Sequence, residues 1–157
     1  MIEVRTVAED EIDRWTTAML AGFHKVASPE DQAFHRPFAD PGRTYGAFEG
    51  SSIVGTARSF SSPLTVPGPV ELVAAAVTGV TVRASHRRQG VLTQMMGKQL
   101  AELARRGEPL AMLIASEAPI YGRFGYGAAS ENARIEVASD RRPVHGCRAR
   151  RNSSAST

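Results

Sequence analysis

Two adjoining segments, Val70–Val82 and Val91–Arg106, constrain the fold more than any other part of the chain. The first is a nearly unbroken run of small and β-branched residues, a composition typical of a strand that is buried on both faces. The second has apolar residues at helical spacing and is followed by Gly107, the expected C-terminal cap. Its predicted buried face comprises Leu92, Met95, Met96, Leu100 and Leu103. A buried strand followed by an amphipathic helix predicts an α/β fold with Val70–Val82 at the centre of the sheet.

The remaining elements are predicted from local periodicity, since alternation with period two favours strands and a period near 3.6 favours helices. The predicted elements are a first strand Ile2–Val7, a helix Asp10–Ala21, a hairpin Tyr45–Phe60 with its turn at Glu49–Ser52, a strand Pro109–Ala115 and a last strand at Ile135–Val137. Their order predicts an α/β (α+β) architecture, a mixed central sheet flanked by helices.

Two proline-containing stretches are predicted to be irregular. Residues 22–43 contain Pro29 and Pro41, which interrupt any long element, and a loop is expected at Pro63–Val70. Long loops in compact domains often carry binding function. We therefore expect residues Phe23–Phe38 and the second loop to line a substrate pocket.

The net charge of +3 is unevenly distributed along the 157 residues. All 16 acidic residues and 14 of the 19 basic residues lie within residues 1–140, whereas residues 141–157 contain five arginines and no acid. This composition predicts one folded domain over residues 1–140 and a disordered Arg/Ser-rich tail over residues 141–157. The tail can attract phosphates nonspecifically, but an acidic domain does not favour nucleic acid as the partner.

Cysteine content and hydropathy exclude several protein classes. Cys147 is the only cysteine, so a disulfide framework and a Cys-rich zinc site are excluded, and no metal site is predicted. No apolar run is long enough to span a membrane, and the first residues are too acidic for a signal peptide. These observations predict a protein of the reducing cytoplasm with no membrane partner.

The junction Val80–Thr93, between the long strand and the helix, predicts an anion site. A turn that leads into a helix presents unpaired main-chain N–H groups at the positive end of the helix dipole. Gly90 lets a ligand approach the main chain, and Arg87 and Arg88 add positive charge. The spacing matches neither a P-loop nor a dinucleotide-binding fingerprint. The alternative interpretation is a solvated, arginine-rich turn that binds no ligand.

The segment Arg87-Arg-Gln-Gly-Val-Leu92 resembles the Arg/Gln-x-x-Gly-x-Gly/Ala signature of GCN5-related N-acetyltransferases (GNAT), which binds the pyrophosphate of acetyl-CoA. Leu92 stands where the signature has a small residue. Three features together resemble the Eis-like (enhanced intracellular survival) acetyltransferases: this departure at Leu92, the sequence His86-Arg-Arg before Gln89-Gly90, and the segment Ala115–Gly127. The resemblance implies the GNAT fold, acetyl-CoA as the cosubstrate, and these cofactor-binding residues: Val80, Thr81, Val82, Arg87, Arg88, Gln89, Gly90, Val91, Leu92, Ser116 and Glu117.

The same resemblance implies that Tyr121 is the catalytic residue. A phenol with a pKa of about 10 stays protonated at neutral pH and can act as a general acid toward a leaving thiolate. The alternative is a packed structural tyrosine. Main-chain amides near Val80–Val82 are the expected oxyanion donors. The general base is left open among Glu71, Glu117, His24 and His35, because the central-strand segment 74–80 has no titratable side chain. The resemblance implies that Eis-like enzymes use the carboxylate at their own C-terminus, which belongs to a third domain.

The leading functional hypothesis is an acyltransferase, a GNAT N-acetyltransferase that acts on a primary amine of a small molecule or on lysine. Eis-like proteins continue with a second related domain and a sterol-carrier-like domain, whereas the resemblance here stops near Arg142. The second hypothesis is therefore a truncated, catalytically weak acetyl-CoA-binding fragment whose tail comes from a shifted reading frame. A third is a nucleic-acid-binding module that uses the tail. The amine and the oligomeric state, including a homo-oligomer, are left open.

Overall fold

The computed structural model describes residues 1–130, which form a five-stranded mixed sheet with helices on its faces. The strands are β1 (Ile2–Thr6), β2 (Thr44–Glu49), β3 (Ser52–Val66), β4 (Val70–Val82) and β5 (Leu110–Met112). They lie in sequence order across the sheet; the first four are antiparallel, and β5 is parallel to β4. The helices are α1 (Ile12–Gly22), α2 (Pro29–His35) and α3 (Val91–Arg105). Short 3-10 turns lie at Glu9–Glu11, Arg36–Phe38, Pro41–Arg43, Ala84–His86, Ala118–Ile120 and Gly122–Phe124.

Helices α1 and α3 pack on opposite faces of the sheet, in agreement with the predicted α/β class. Ile53 joins the apolar cluster under α1, whereas its neighbour Val54 joins the cluster under α3, because successive strand residues point to opposite faces. Trp15 of α1 is fully buried, and its indole N–H donates to the Tyr45 carbonyl over 2.8 Å. This bond anchors α1 to β2.

Helix α3 ends as predicted, with Gly107 at a φ of +72° directly after the last helical turn. Met95, Met96 and Leu103 are buried, but Leu92 and Leu100 are only half-buried. The buried face also includes Val91 and Gln99. The observed buried face of α3 therefore overlaps the predicted face but is rotated slightly around the helix axis.

The prediction that Val70–Val82 is buried on both faces is wrong. Only its middle part is covered, with Ala74 and Ala75 fully buried, whereas Val70 and Val73 are exposed. The reason is that β2 pairs with β3 only as far as Arg58, so the β3–β4 arm projects beyond it. In the described residues β3, rather than β4, is the middle strand of the order.

The same projecting arm corrects the predicted loop Pro63–Val70. Residues 63–66 belong to β3, and Pro63 pairs with Val73. Proline is tolerated at this point of a strand because β2 has ended, so the other edge of β3 needs no N–H donor. The connecting turn is reduced to residues 67–69, with Gly68 at a φ of +94°.

The prediction that residues 22–43 are irregular misses helix α2. Ser28 caps this helix: its hydroxyl accepts from the Asp31 N–H (3.2 Å), and the Asp31 carboxylate accepts from the Ser28 N–H (3.0 Å). Pro29 occupies the first helical position, where its missing N–H has no cost. The proline that was expected to break an element therefore begins one.

The last predicted strand (Ile135–Val137), the domain boundary at residue 140 and the tail (residues 141–157) lie outside the described residues. The compact unit comprises Met1–Gly127. Within residues 1–130, no helix has the length and apolarity to cross a membrane, and no cluster of His, Cys, Asp or Glu is arranged to hold a metal ion.

Candidate functional site

The candidate site is a cleft that opens where β4 and β5 separate. The two parallel strands pair at Ala74–Ala76 with Leu110–Met112, and within residues 1–130 β4 then continues to Val82 paired only with β3. The edge of β4 from Val77 onward therefore borders a cavity of about 890 Å³. The other walls are the turn after β4, the start of α3, the end of α1 and the segment 113–123.

A β-bulge lies in β4 at the cleft. Arg58 pairs with Thr78 and Thr56 with Thr81, so β4 has one more residue than β3 in this interval. Gly79, in the bulge, has a φ of +64°, and a Cβ there would lie 2.9 Å from the Met19 sulfur. Only glycine fits both constraints, and the bulge changes the direction of the main chain where the cleft begins.

The main chain of β4 offers a hydrogen-bond donor to the cleft at Val82. The Arg83 N–H donates to the Val54 carbonyl of β3 over 2.8 Å. Because N–H groups alternate in direction along a strand, the Val82 N–H points to the opposite edge, which is the edge that borders the cleft. This geometry agrees with the expected role of Val80–Val82 as main-chain donors.

The turn and helix at the end of the cleft form an anion cradle. Helix α3 begins after Gly90, whose φ is +77°, and no side chain caps the helix. The first N–H groups of α3, like those of any α-helix, lack an intrahelical acceptor, and here they also lack a side-chain cap. Arg87 and Arg88 line the same wall. Gly90 leaves open space, since a Cβ there would meet only the Gln94 side chain at 4.0 Å. The cradle thus has the donors, charge and room that a diphosphate needs.

Ten of the eleven predicted cofactor-binding residues line this cleft; Gln89 does not. The Gln89 side chain turns back and donates to the Ser85 carbonyl over 3.0 Å, so it shapes the turn rather than facing the cavity. Leu92, which departs from the family signature, lines the cleft and also packs against the core cluster that contains Met95.

Sequence reasoning missed His86, which lines the cleft beside the arginines. Its Nδ1 is 2.9 Å from the Ser85 hydroxyl, and its Nε2 is 3.1 Å from the Glu49 carboxylate. Glu49 comes from the β2–β3 hairpin, so this contact joins the hairpin to the turn. The position of His86 directly before two arginines was the only local signal.

Tyr121 lies in the cleft wall with Ser116 and Glu117. Burial, and secondarily the Glu117 charge, raises the pKa of Tyr121 above its ordinary value of 10. Tyr126 packs edge-to-face against Tyr121 with ring centroids 5.8 Å apart and does not line the cleft. Burial raises the pKa of Tyr126 to about 12, and its hydroxyl has no hydrogen-bond partner within residues 1–130.

The four candidate bases are separated by the fold, and only His24 and Glu117 reach the cleft. Glu71 is at the far end of β4, paired with Thr65. His35 accepts a hydrogen bond at Nδ1 from the Arg58 guanidinium (3.2 Å), because a guanidinium can only donate. The neutral His35 ring therefore carries its proton on Nε2 and has no free basic nitrogen.

The expected acceptor pocket is formed only in part. Phe23, at the end of α1, lines the cleft, whereas the segment Pro63–Val70 lies outside it. Phe34 and Phe38 of the α2 region are 66% and 55% exposed, and their ring centroids are 5.7 Å apart.

The mixed sheet opens between two parallel strands, and the resulting cleft has main-chain donors on one strand and an uncapped helix at its end, which places the chain in the class of α/β domains with an anion site beside a strand edge. The chain belongs to the acetyltransferase (GNAT) domain family, whose profile matches residues 3–129. The predicted membership of the GNAT family is thereby confirmed.

Relatives support this assignment. The chain is 44% identical over 138 residues to an uncharacterized N-acetyltransferase of Streptomyces griseus, a match that covers 87% of this chain and 33% of the relative. It is 45% identical over 97 residues to the N-acetyltransferase Eis of Mycobacterium tuberculosis, covering 62% of this chain and 24% of Eis. The chain thus spans about a third or less of the length of these relatives.

Solved structures agree. Eis1 from Mycobacterium abscessus aligns with a TM-score of 0.69 and 39% identity, over 81% of this chain and 31% of Eis1. A predicted acetyltransferase with acetyl-CoA from Clostridium acetobutylicum has a TM-score of 0.69 at 16% identity, covering 87% of this chain and 96% of that one, and shares the fold.

Proposed function

We propose that this domain transfers an acetyl group from acetyl-CoA to a primary amine of a small molecule or of lysine. One observation carries the proposal: the edge of β4 that is unpaired beyond Ala76 within residues 1–130 and the uncapped start of α3 border one cleft. Separately, each is a common feature of α/β domains. Together they match the two ends of the cosubstrate, a thioester arm and a diphosphate.

In this proposal the cradle binds the diphosphate. Arg87 and Arg88 donate charge-assisted hydrogen bonds, and the N–H groups that follow Gly90 complete the anion site. The edge of β4 over Val80–Val82 pairs with the pantetheine arm, and Ser116 and Glu117 border the arm from the opposite wall. Gln89 contributes by holding the turn through the Ser85 carbonyl.

Acetyl-CoA supplies an activated acyl group, and the chain supplies positioning and proton transfer. Main-chain amides between Val80 and Val82 stabilise the developing oxyanion. Tyr121 gives its Oη proton to the leaving sulfur; because burial raises the pKa of Tyr121, the phenol is protonated at neutral pH and available as the donor. Of the four candidate bases, His24 and Glu117 lie in the cleft wall and can accept the amine proton.

The expected result for the variant R87A/R88A is a loss of acetyl-CoA affinity of about 100-fold or more, since each charge-assisted hydrogen bond contributes about 1.5–3 kcal/mol. Isothermal calorimetry on the full chain measures this change, with micromolar binding expected for the wild type. The matched control is R105A/R106A, which removes the same charge from the opposite end of α3. The absence of wild-type binding would overturn the proposed function.

The alternative function is a catalytically weak acetyl-CoA-binding fragment of a multidomain protein, favoured by the chain spanning 33% of its Streptomyces griseus relative. It predicts cosubstrate binding without thiol release across a panel of amines, whereas the enzyme releases thiol with at least one amine. We propose that the domain acts in the reducing cytoplasm, with neither a nucleic acid nor a membrane as its partner.

A further inference from the structure

We propose that Thr56 is a positioning residue for acetyl transfer, which holds the Gly79–Val80 peptide so that the Val80 N–H points into the cleft. Thr56 lies on β3, not β4, and it does not line the cleft. It is 1% exposed, so the substrates do not touch it. The inference rests on the proposed function, because it concerns how the oxyanion donors are oriented.

The Thr56 hydroxyl is bound directly to the bulge. It donates to the Gly79 carbonyl over 2.8 Å. The peptide that contains this carbonyl also contains the Val80 N–H. Because a trans peptide is planar and its C=O and N–H point in opposite directions, a carbonyl held toward β3 directs the Val80 N–H away from β3. That side of β4 borders the cleft, and Val80 is part of the cleft wall.

Thr81 adds a second side-chain hydrogen bond at the bulge. Its hydroxyl is 2.7 Å from the Thr56 hydroxyl. Since the Thr56 proton is used on the Gly79 carbonyl, which can only accept, Thr81 is the donor of this second bond. The resulting chain runs from the Thr81 hydroxyl through Thr56 to Gly79, and it spans the bulge from one side to the other.

The Thr81 side chain is itself held by α1. A Cβ on Gly22 would lie 2.5 Å from the Thr81 Cβ, so the end of α1 packs directly on this residue. The bulge is thus held between β3 and α1. Glycine can adopt several backbone conformations, and these contacts restrict Gly79 to one of them. Without these contacts, Gly79 would be free to rotate the peptide that contains the Val80 N–H.

The test compares T56V with T56S. Valine keeps the shape of threonine and removes the hydroxyl, whereas serine keeps the hydroxyl. With acetyl-CoA and an accepted amine, we expect T56V to lower kcat about tenfold while KM for acetyl-CoA changes less than about threefold, because the donor is misdirected rather than removed. T56S should retain most of the wild-type kcat.

A second measurement does not need turnover. Acetyl-CoA labelled with ¹³C at the thioester carbonyl should show a downfield carbonyl shift when it binds the wild type, because hydrogen-bond donors polarise the carbonyl. We expect T56V to lose most of that shift at nearly unchanged affinity, and T56S to keep it.

The matched control is T44V. Thr44 is also fully buried, and its hydroxyl donates to a main-chain carbonyl, that of Asp40, over 2.7 Å. It lies on β2 and does not line the cleft. The two variants should lose comparable thermal stability, but T44V should keep the carbonyl shift. An unchanged shift in bound T56V, or an equal loss in T44V, overturns the inference, whereas a wild type that fails to bind acetyl-CoA overturns the proposed function instead.

Discussion

Replacing Glu108 with alanine is expected to lower the free energy of unfolding by about 3–5 kcal/mol, because it leaves a buried arginine without its counter-ion. Arg43 binds the Glu108 carboxylate with both guanidinium ends, over 2.8 and 2.6 Å, and the two side chains are only 7% and 6% exposed. The Ser61 hydroxyl donates to the same carboxylate over 2.5 Å. The pair therefore links the segment before β2, strand β3 and the end of α3.

Urea denaturation at neutral pH measures this loss. The control is E102A, near the C-terminal end of α3, which removes ion pairs with the more exposed Arg105 and Arg106 and should cost at most about 1 kcal/mol. A cost for E108A as small as that of the control would contradict the prediction.

The same pair predicts a pH dependence. Hydrogen bonding to Arg43 lowers the pKa of Glu108 below its ordinary value of 4.5. A lowered pKa in the folded state means that the stabilisation is fully present above pH 4.5 and is lost as the pH falls through the lowered value. The stability difference between wild type and E108A should accordingly narrow only below pH 4.5.

Replacing Tyr121 with phenylalanine is expected to lower kcat by about 10²–10⁴-fold with little change in acetyl-CoA affinity, because the phenol acts only as the leaving thiolate forms. Y126F is the matched control. The ring centroids of Tyr126 and Tyr121 are 5.8 Å apart, but Tyr126 lies outside the cleft wall, so the kcat of Y126F should stay near that of the wild type. Thiol release at saturating acetyl-CoA measures both variants.

The pH profile separates a proton donor from a packed tyrosine. Because burial raises the pKa of Tyr121 above 10, the phenol stays protonated across neutral pH, and an alkaline fall in wild-type kcat that depends on Tyr121 should appear only above pH 10. If the wild type turns over and the Y121F and Y126F variants have equal kcat values, Tyr121 is not the general acid.

Local patterns sufficed for much of the fold and for most of the site. The hairpin turn after Glu49, strand β4 and helix α3 follow from alternation, helical spacing and Gly107, since each depends on residues only a few positions apart. The cradle at Arg87–Leu92 was predicted for the same reason: a strand, a turn and a helix start form one local unit.

Other features depend on segments that are distant in the sequence. Arg43 and Glu108 are 65 residues apart, and nothing in either local pattern pairs them. The separation of β4 from β5 depends on how far the two strands pair. The position of His24 in the cleft wall, where His35 is absent, depends on where each helix ends.

The sequence by itself thus determined strand β4, helix α3 and the hairpin turn, and it predicted the turn to which we assign anion binding, because those features arise from near neighbours. Only the tertiary structure decided that Thr56, 23 residues from Gly79, holds the bulge at the cleft. The physical reason is strand register: a contact between strands depends on which residues the sheet places opposite one another, and no single segment contains that information.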